Sequence, residues 1–492
     1  MNKPFHILLG MASAVAAAPA AAQSLDLKLT PMRADSGEVN GIAVEQRLDK
    51  PGAASEPLTL NAPIVYAAIE VAHRISGLTV ADADGIVELA ARDDPAAPGG
   101  FPFFRHWTTS RPVTYPVTIK YFTAVESPHA GRGPPFGIRA VDGGVTGAGS
   151  GFLLLPESVS EGDIRMHWDL SGLTPGSIAV TSFGADEVRM KARFDLLRQA
   201  WVMAGPAKHY PEKGKAAFSA TWLGQGNFDI HREMQWSSDL YKYLGKSFAY
   251  LKPLPDYRVF LRFLSKTGGG TAGPKSFMLS RLAAPLHPKP PGPRATLAHE
   301  MIHQWTGQID EAPGISSWFS EGSTTYYAAI LPWKGGYVPF DHYASEINRM
   351  TAGYWGSPAR EWSADKIAQA GFGDESIRHV PYNRSALYFA TLDSRIRARS
   401  GGKRTLLDLL TPAFDRREKG ESFDHESWRA LLAAEFGQEA VAEWERVILK
   451  GEMFVPASDA FGPCFRRVPK TYNVRGSEVN GYAYGRVATI PG

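Results

Sequence analysis

Apolar residues recur at every second position through stretches of the first part of this chain and at helical spacing beyond residue 294. The first period belongs to sheets with one buried face, the second to helices with one buried stripe, so a single uniform architecture is excluded. Val117, Ile119, Tyr121 and Val125 alternate with Thr118, Lys120 and Ala124. Ile164, Met166, Trp168 and Leu170 alternate with Arg165, His167 and Asp169. A continuous apolar run at 152–155, closed by Pro156, and a short run at 178–183, closed by Gly184, lie among turn-rich pieces at 131–135 and 147–151. This pattern predicts an all-β domain of sandwich type. After Ala185 the character changes. One more strand-like segment, 257–264, runs into Gly268-Gly269-Gly270 and a proline-rich stretch at 285–293, which excludes long regular elements there. Helices are then expected near 295–306, 318–331, 384–399, 403–413, 426–436 and 438–450, with Gly307, Gly401-Gly402 and Gly437 at the stops.

At 492 residues the chain is too long for one ordinary core, and two or three domains are expected. With 53 basic and 50 acidic side chains it carries a formal charge of only +3, which supplies no global field for nucleic acid. Cys464 is the lone cysteine, so packing rather than an intrachain disulfide must hold the fold, and no local motif activates that thiol. At the N-terminus Lys3, the apolar stretch from Ile7 to Ala18, and Ala20-Ala21-Ala22 before Gln23 have the order of an export signal. Residues 1–22 are therefore expected to be a signal peptide, with the mature protein in a periplasm or secreted. No later stretch reaches the ~18 consecutive apolar residues needed to span a bilayer.

The segment 296–305 reads Thr-Leu-Ala-His-Glu-Met-Ile-His-Gln-Trp. Residues four apart on a helix share a face, so His299 and His303 can present two imidazole nitrogens to one metal ion at about 2.0–2.1 Å. Glu300 is offset around the helix, within reach of a water on that ion without being a ligand. Two histidines leave a catalytic zinc site one protein ligand short, and Glu321, in Trp318-Phe319-Ser320-Glu321-Gly322, can supply the third. It is expected in the first turn of a second helix, where the dipole favours an ionised carboxylate. A His-Glu-x-x-His string alone arises by chance, and Glu321 alone would read as a solvated helix-start residue. Their combination is what carries the assignment.

These two segments together resemble the gluzincin aminopeptidases, both the aminopeptidase N group and the glycyl aminopeptidase group. The string from Leu392 through Asp393, Arg395, Gly401, Gly402 and Leu406 is closer to the glycyl group, as are Phe152-Leu153-Leu154-Leu155-Pro156 and Trp168-Asp169-Leu170. The resemblance implies an N-terminal β domain at 23–185, a thermolysin-like α+β zinc peptidase domain at 186–383, and a helical C-terminal region with a short tail at 384–492. It implies one zinc ion on His299, His303 and Glu321, Glu300 as the acid–base, peptide substrates, and Tyr382 of Val380-Pro381-Tyr382 stabilising the tetrahedral intermediate. Three features depart from the family. Seventeen residues separate His303 from Glu321, fewer than either group usually has. Residues 270–276, where such enzymes carry an acid for the substrate's free amine, read Gly-Thr-Ala-Gly-Pro-Lys-Ser. Too few residues follow Cys464 for the glycyl group's PDZ domain. Aminopeptidase-like hydrolysis is the expectation. An endopeptidase, a dipeptide-releasing enzyme, and a silent envelope binding protein with a relic zinc site stay open, although the last leaves Glu300 without a duty. No spacing distinguishes the other histidines, His379 included, and the triple glycine lacks the Lys-Ser/Thr of a phosphate loop.

Overall fold

The computed structural model describes residues 23–487 apart from 51–55, 68, 128–134, 158–160, 214–215, 251, 266–267, 284–291, 313 and 372. The export-signal expectation for residues 1–22 lies outside the described residues.

Among the described residues the N-terminal part is β structure alone except for single helical turns. Its largest sheet has seven strands, in the order Val188–Arg193, Glu161–Trp168, Ser24–Arg33, Val39–Asp49, Val117–Ala124, Ile75–Asp82 and Gly85–Val87. Two five-stranded sheets accompany it. Alternation in sequence becomes alternation in space, because successive strand side chains face opposite sides. Leu25, Leu27 and Leu29 are buried while their neighbours are not, and they pack with Ile119 and Ile164 in one core. The run Phe152, Leu153, Leu154, Leu155 is wholly buried within that core. Strands Val188–Arg193 and Trp201–Gly205 follow the composition change at Ala185, yet both pair with N-terminal strands. The β architecture thus extends to Gly205, beyond the 185/186 division. Hydrogen-bond partners, rather than composition, decide where that structure ends.

The next layer is a mixed five-stranded sheet in the order Lys208–Tyr210, Phe218–Leu223, Tyr257–Leu264, Ser276–Leu282, Gly270–Gly273. Its middle strand is parallel to both neighbours and almost fully buried, which explains its run of Val259, Phe260, Leu261 and Phe263. A crossover helix, Ile230–Phe248, joins the first two parallel strands. Buried Met234, Leu240, Tyr241, Leu244 and Phe248 give it an apolar stripe at helical spacing, although it is not among the helices expected from the sequence. Gly270–Gly273 closes the sheet as an antiparallel edge.

Helices follow. Arg294–Thr306, here the metal helix, buries Leu297, Met301 and Trp305 in one core with Phe277 and Leu279 of the sheet. Ser317–Lys334, the carboxylate helix, lies between it and Val380–Ser400, the tyrosine helix. Gly322 permits the second of these approaches, since a Cβ there would collide with the Ser385 side chain. Phe340–Trp355 is a further long helix, absent from those expected although Tyr343, Ile347, Met350 and Tyr354 recur at helical spacing on its buried face. The C-terminus is more than a short tail. Phe465–Val474 and Ser477–Arg486 form a hairpin on that helix, where Asn348 exchanges two 3.0 Å hydrogen bonds with the Tyr484 backbone. The long contact from residue 348 to 484 has no local signature in the sequence.

Candidate metal centre and active-site cleft

The metal helix puts His299 and His303 one turn apart, and the carboxylate helix brings Glu321 to face both. His299 Nε2 and Glu321 Oε2 are 3.1 Å apart, His303 Nε2 and His299 Nε2 3.2 Å, and His303 Nε2 and Glu321 Oε2 3.3 Å. Three ligands on one tetrahedral ion at about 2.0–2.1 Å are separated by about 3.3 Å, the edge of that tetrahedron. The triangle therefore has the size a zinc ion requires, and it forms a three-residue cluster of metal-binding type. Its donor set of two imidazoles and one carboxylate, with one corner open, is that of catalytic rather than structural zinc.

The electrostatics of the metal-free protein favour a cation. Burial works against ionising Glu321, but His303 and His299 outweigh it and hold the carboxyl far below its usual range. Burial likewise disfavours charge on His303, and Glu321 reverses that, so His303 binds a proton more tightly than an ordinary histidine. Glu321 lies past the first turn of its helix, which begins at Ser317. Its ionisation is thus maintained by the imidazoles, not by the helix end expected from sequence.

A hydroxyl chain fixes His303. Its Nδ1 lies 3.2 Å from Thr324 Oγ1, Thr324 Oγ1 is hydrogen-bonded to Thr306 Oγ1, and Thr306 donates to the Ile302 carbonyl at 3.3 Å. With Nε2 turned to the metal position, Nδ1 carries the proton and Thr324 accepts it, which leaves the Nε2 lone pair free to ligate. Thr306 and Thr324 are fully buried, so water does not compete for these bonds.

Glu300 is buried beside the triangle, and burial raises its carboxyl above the usual value against the opposing pull of His299 and His303. The edge strand presses on it: a Cβ at Gly270 would stand 2.9 Å from Glu300 Oε1. Tyr257 ties the same helix to the sheet by donating to the Glu300 carbonyl at 2.9 Å. Tyr382 stacks on His299 with ring centroids 5.9 Å apart, and its hydroxyl lies within the field of Glu321. Burial and then the Glu321 charge raise that phenol well above its ordinary value, so it stays a proton donor. His379 packs edge-on against Tyr382 at 5.0 Å, and burial lowers it to about 4, so it is neutral at physiological pH.

These groups line a cleft of about 670 Å³. All five residues singled out from sequence, His299, Glu300, His303, Glu321 and Tyr382, meet in it. It also contains residues that carry no local signal. Phe136 arrives from the N-terminal domain, Arg281 from the strand beside the edge strand, and Arg349, paired with Glu346 at 2.8 Å, from the helix Phe340–Trp355. Thr324 alone had a possible signal, one turn after Glu321 on the same helix.

No described protein family and no curated protein matches this sequence. Solved structures do match. An aminopeptidase N family protein from Idiomarina loihiensis superposes with a TM-score of 0.71 at 14% identity, over 91% of this chain and 79% of that one. The fold is that of the M1 zinc metallopeptidases. An M1 zinc metallopeptidase from Deinococcus radiodurans, solved as a point mutant bound to a Tyr-Ser-Ala substrate, gives a TM-score of 0.52 at 17% identity over 89% and 95% of the two chains. Leukotriene A4 hydrolase from Saccharomyces cerevisiae gives 0.54 at 14% identity over 88% and 68%. The gluzincin resemblance drawn from the short motifs is thus matched by the architecture around them, a β-rich domain followed by a mixed sheet and a helical part.

Proposed function

We propose that this chain is a zinc-dependent peptidase of aminopeptidase-like activity, with His299, His303 and Glu321 as metal ligands, Glu300 as general base and acid, and Tyr382 as hydrogen-bond donor to the developing oxyanion. The observation that carries the reading is the 3.1–3.3 Å triangle with a buried, non-ligating carboxylate beside it. A glutamate that neither ligates metal nor forms an ion pair among the described residues is costly to bury unless it handles protons.

A zinc ion at the triangle would polarise the scissile carbonyl and lower the pKa of an attacking water to about 7. Glu300 takes a proton from that water as its oxygen adds to the carbonyl carbon. It then delivers the proton to the departing amine nitrogen as the C–N bond breaks. Its raised pKa suits both halves of the exchange. Tyr382 donates to the oxygen on which negative charge grows, a contribution of about 2.7–4 kcal/mol for a fixed donor of this kind. The edge strand Gly270–Gly273 offers backbone groups to an extended peptide.

A second reading, cleavage of N-blocked or internal bonds, is favoured by one feature. Thr271 and Ala272 are the only side chains on the edge strand beyond hydrogen, and neither can hold a free amine. One panel tests both. Free and N-acetylated versions of one short peptide are incubated with zinc-loaded protein, with and without chelator. Chelator-sensitive cleavage of the free form alone supports the aminopeptidase, and cleavage of both supports the second reading. No chelator-sensitive cleavage of any peptide ends the peptidase proposal. Export through residues 1–22 belongs to the same proposal, and N-terminal sequencing of the mature protein should begin at Gln23.

A further inference from the structure

We propose that Arg281 captures the free C-terminal carboxylate of a short peptide, on the leaving-group side of the scissile bond. The proposal rests on the peptidase reading of the same cleft. It deepens that reading by naming di- and tripeptides as the substrate class.

Arg281 lines the cleft with Thr296 and Glu300, and no carboxylate among the described residues lies within ion-pair distance of it. The other arginines of the cleft are committed: Arg349 pairs with Glu346, and Arg378 also has a partner. Three bonds hold the Arg281 guanidinium in place. Nη1 donates to the Gly268 carbonyl at 3.0 Å and to the Ser280 carbonyl at 3.3 Å, and Nη2 donates to Thr296 Oγ1 at 3.0 Å. Of its five N–H groups, Nε–H and one on Nη2 are left without a partner among the described residues. An arginine takes a carboxylate through two parallel bonds from these positions. Arg105 grips Asp93 in that way elsewhere in the protein, at 2.6 and 2.8 Å. A preorganised guanidinium in a half-enclosed cleft is a carboxylate receptor rather than a solvated surface charge.

Strand polarity assigns the side. A peptide adding to the outer edge of Gly270–Gly273 in the antiparallel sense, as that strand itself joins Ser276–Leu282, runs from residue 273 towards 268. The reacting bond lies near Gly270, where an added Cβ would stand 2.9 Å from Glu300 Oε1. The acyl half then lies along Thr271 and Ala272, and the leaving half along Gly269 and Gly268, where Arg281 holds a carbonyl. Two strand residues span about 7 Å, so the carboxylate reached is one or two residues beyond the scissile bond. The opposite polarity would set a free amine against an arginine. Substrate is thus anchored by its far end, which accounts for an edge strand that lacks an acid.

The test compares matched tripeptides with a free carboxylate or a C-terminal amide, on full-length zinc-loaded protein. The free acid should show a KM about 10- to 100-fold lower, the value of a charge-assisted bond pair. Arg281→Met should collapse that preference towards one, and Arg281→Lys should recover only part of it because the fork is lost. A parent enzyme that treats acid and amide alike overturns the proposal, even if the variants fail to fold. So does an Arg281→Met enzyme whose acid preference survives, or whose loss is equal on both substrates with a displaced pH profile, since Arg281 would then act on Glu300. Calorimetric binding of the free acid and the amide to zinc-loaded Glu300→Gln repeats the comparison without turnover. Equal affinities there overturn the clamp alone, whereas absence of chelator-sensitive hydrolysis overturns the peptidase reading.

Discussion

Thr324→Val removes one oxygen from the metal site and almost no volume, so it isolates what the hydroxyl chain contributes. Thr324 Oγ1 lies 3.2 Å from His303 Nδ1 and is bonded to Thr306, which keeps its own 3.3 Å bond to the Ile302 carbonyl when Thr324 is lost. In the variant the buried Nδ1–H has no acceptor. Imidazole can then place its proton on Nε2, where it occupies the position the metal needs. Losing an outer-shell partner of a metal-bound histidine lowers metal affinity by about 10- to 100-fold, or about 1.4–2.7 kcal/mol. The expected cost to the metal-free fold is about 1 kcal/mol per lost hydrogen bond, so unfolding of the chelated protein should change much less than zinc binding. The assay is competition for zinc against a chromophoric chelator at fixed pH. Thr325→Val is the control, because Thr325 is buried with no hydrogen-bond partner for its hydroxyl among the described residues and should leave affinity where it was. A Thr324→Val affinity within twofold of the parent would refute the argument that this chain sets the His303 tautomer.

Glu300→Gln should retain a full complement of zinc by metal analysis and lose about 10²- to 10⁴-fold in kcat, the contribution of a positioned proton-transfer group. Tyr382→Phe should lower kcat by about 10²- to 10³-fold with a smaller change in KM, since its donor is needed where charge develops; an equal rise in KM would place it in substrate binding instead. Because His303 in the metal-free protein holds its proton more tightly than usual, zinc must displace that proton. Affinity should therefore fall as pH drops through the raised range, by up to about tenfold per unit, and rise to a plateau above it. Calorimetry in two buffers of different ionisation enthalpy should register proton release near neutral pH, and identical heats in both would contradict this.

What the sequence determined by itself was the chemistry with a short period. His299 and His303 are fixed to one face by four-residue spacing, and Glu300 is fixed beside them, whatever the rest of the chain does. Strand alternation at 117–124 and 161–168 and the helix at 294–306 were legible for the same reason: burial of one face writes itself into local periodicity. The same periodicity runs through Ile230–Phe248 and Phe340–Trp355, whose buried residues recur at helical spacing although neither is among the expected helices. Glu321 stood out only as the third ligand that the two histidines require, and Tyr382 only through the family resemblance, because nothing local says which distant helix will face the histidines. Tertiary structure decided the rest. It closed the ligand triangle at 3.1–3.3 Å, brought Thr306 under Thr324, set Gly270 against Glu300, and carried Phe136 and Arg281 into one cleft. Those positions are tens to more than a hundred residues apart, and no periodic signal couples them. Only the packing of sheet against helices sets such distances.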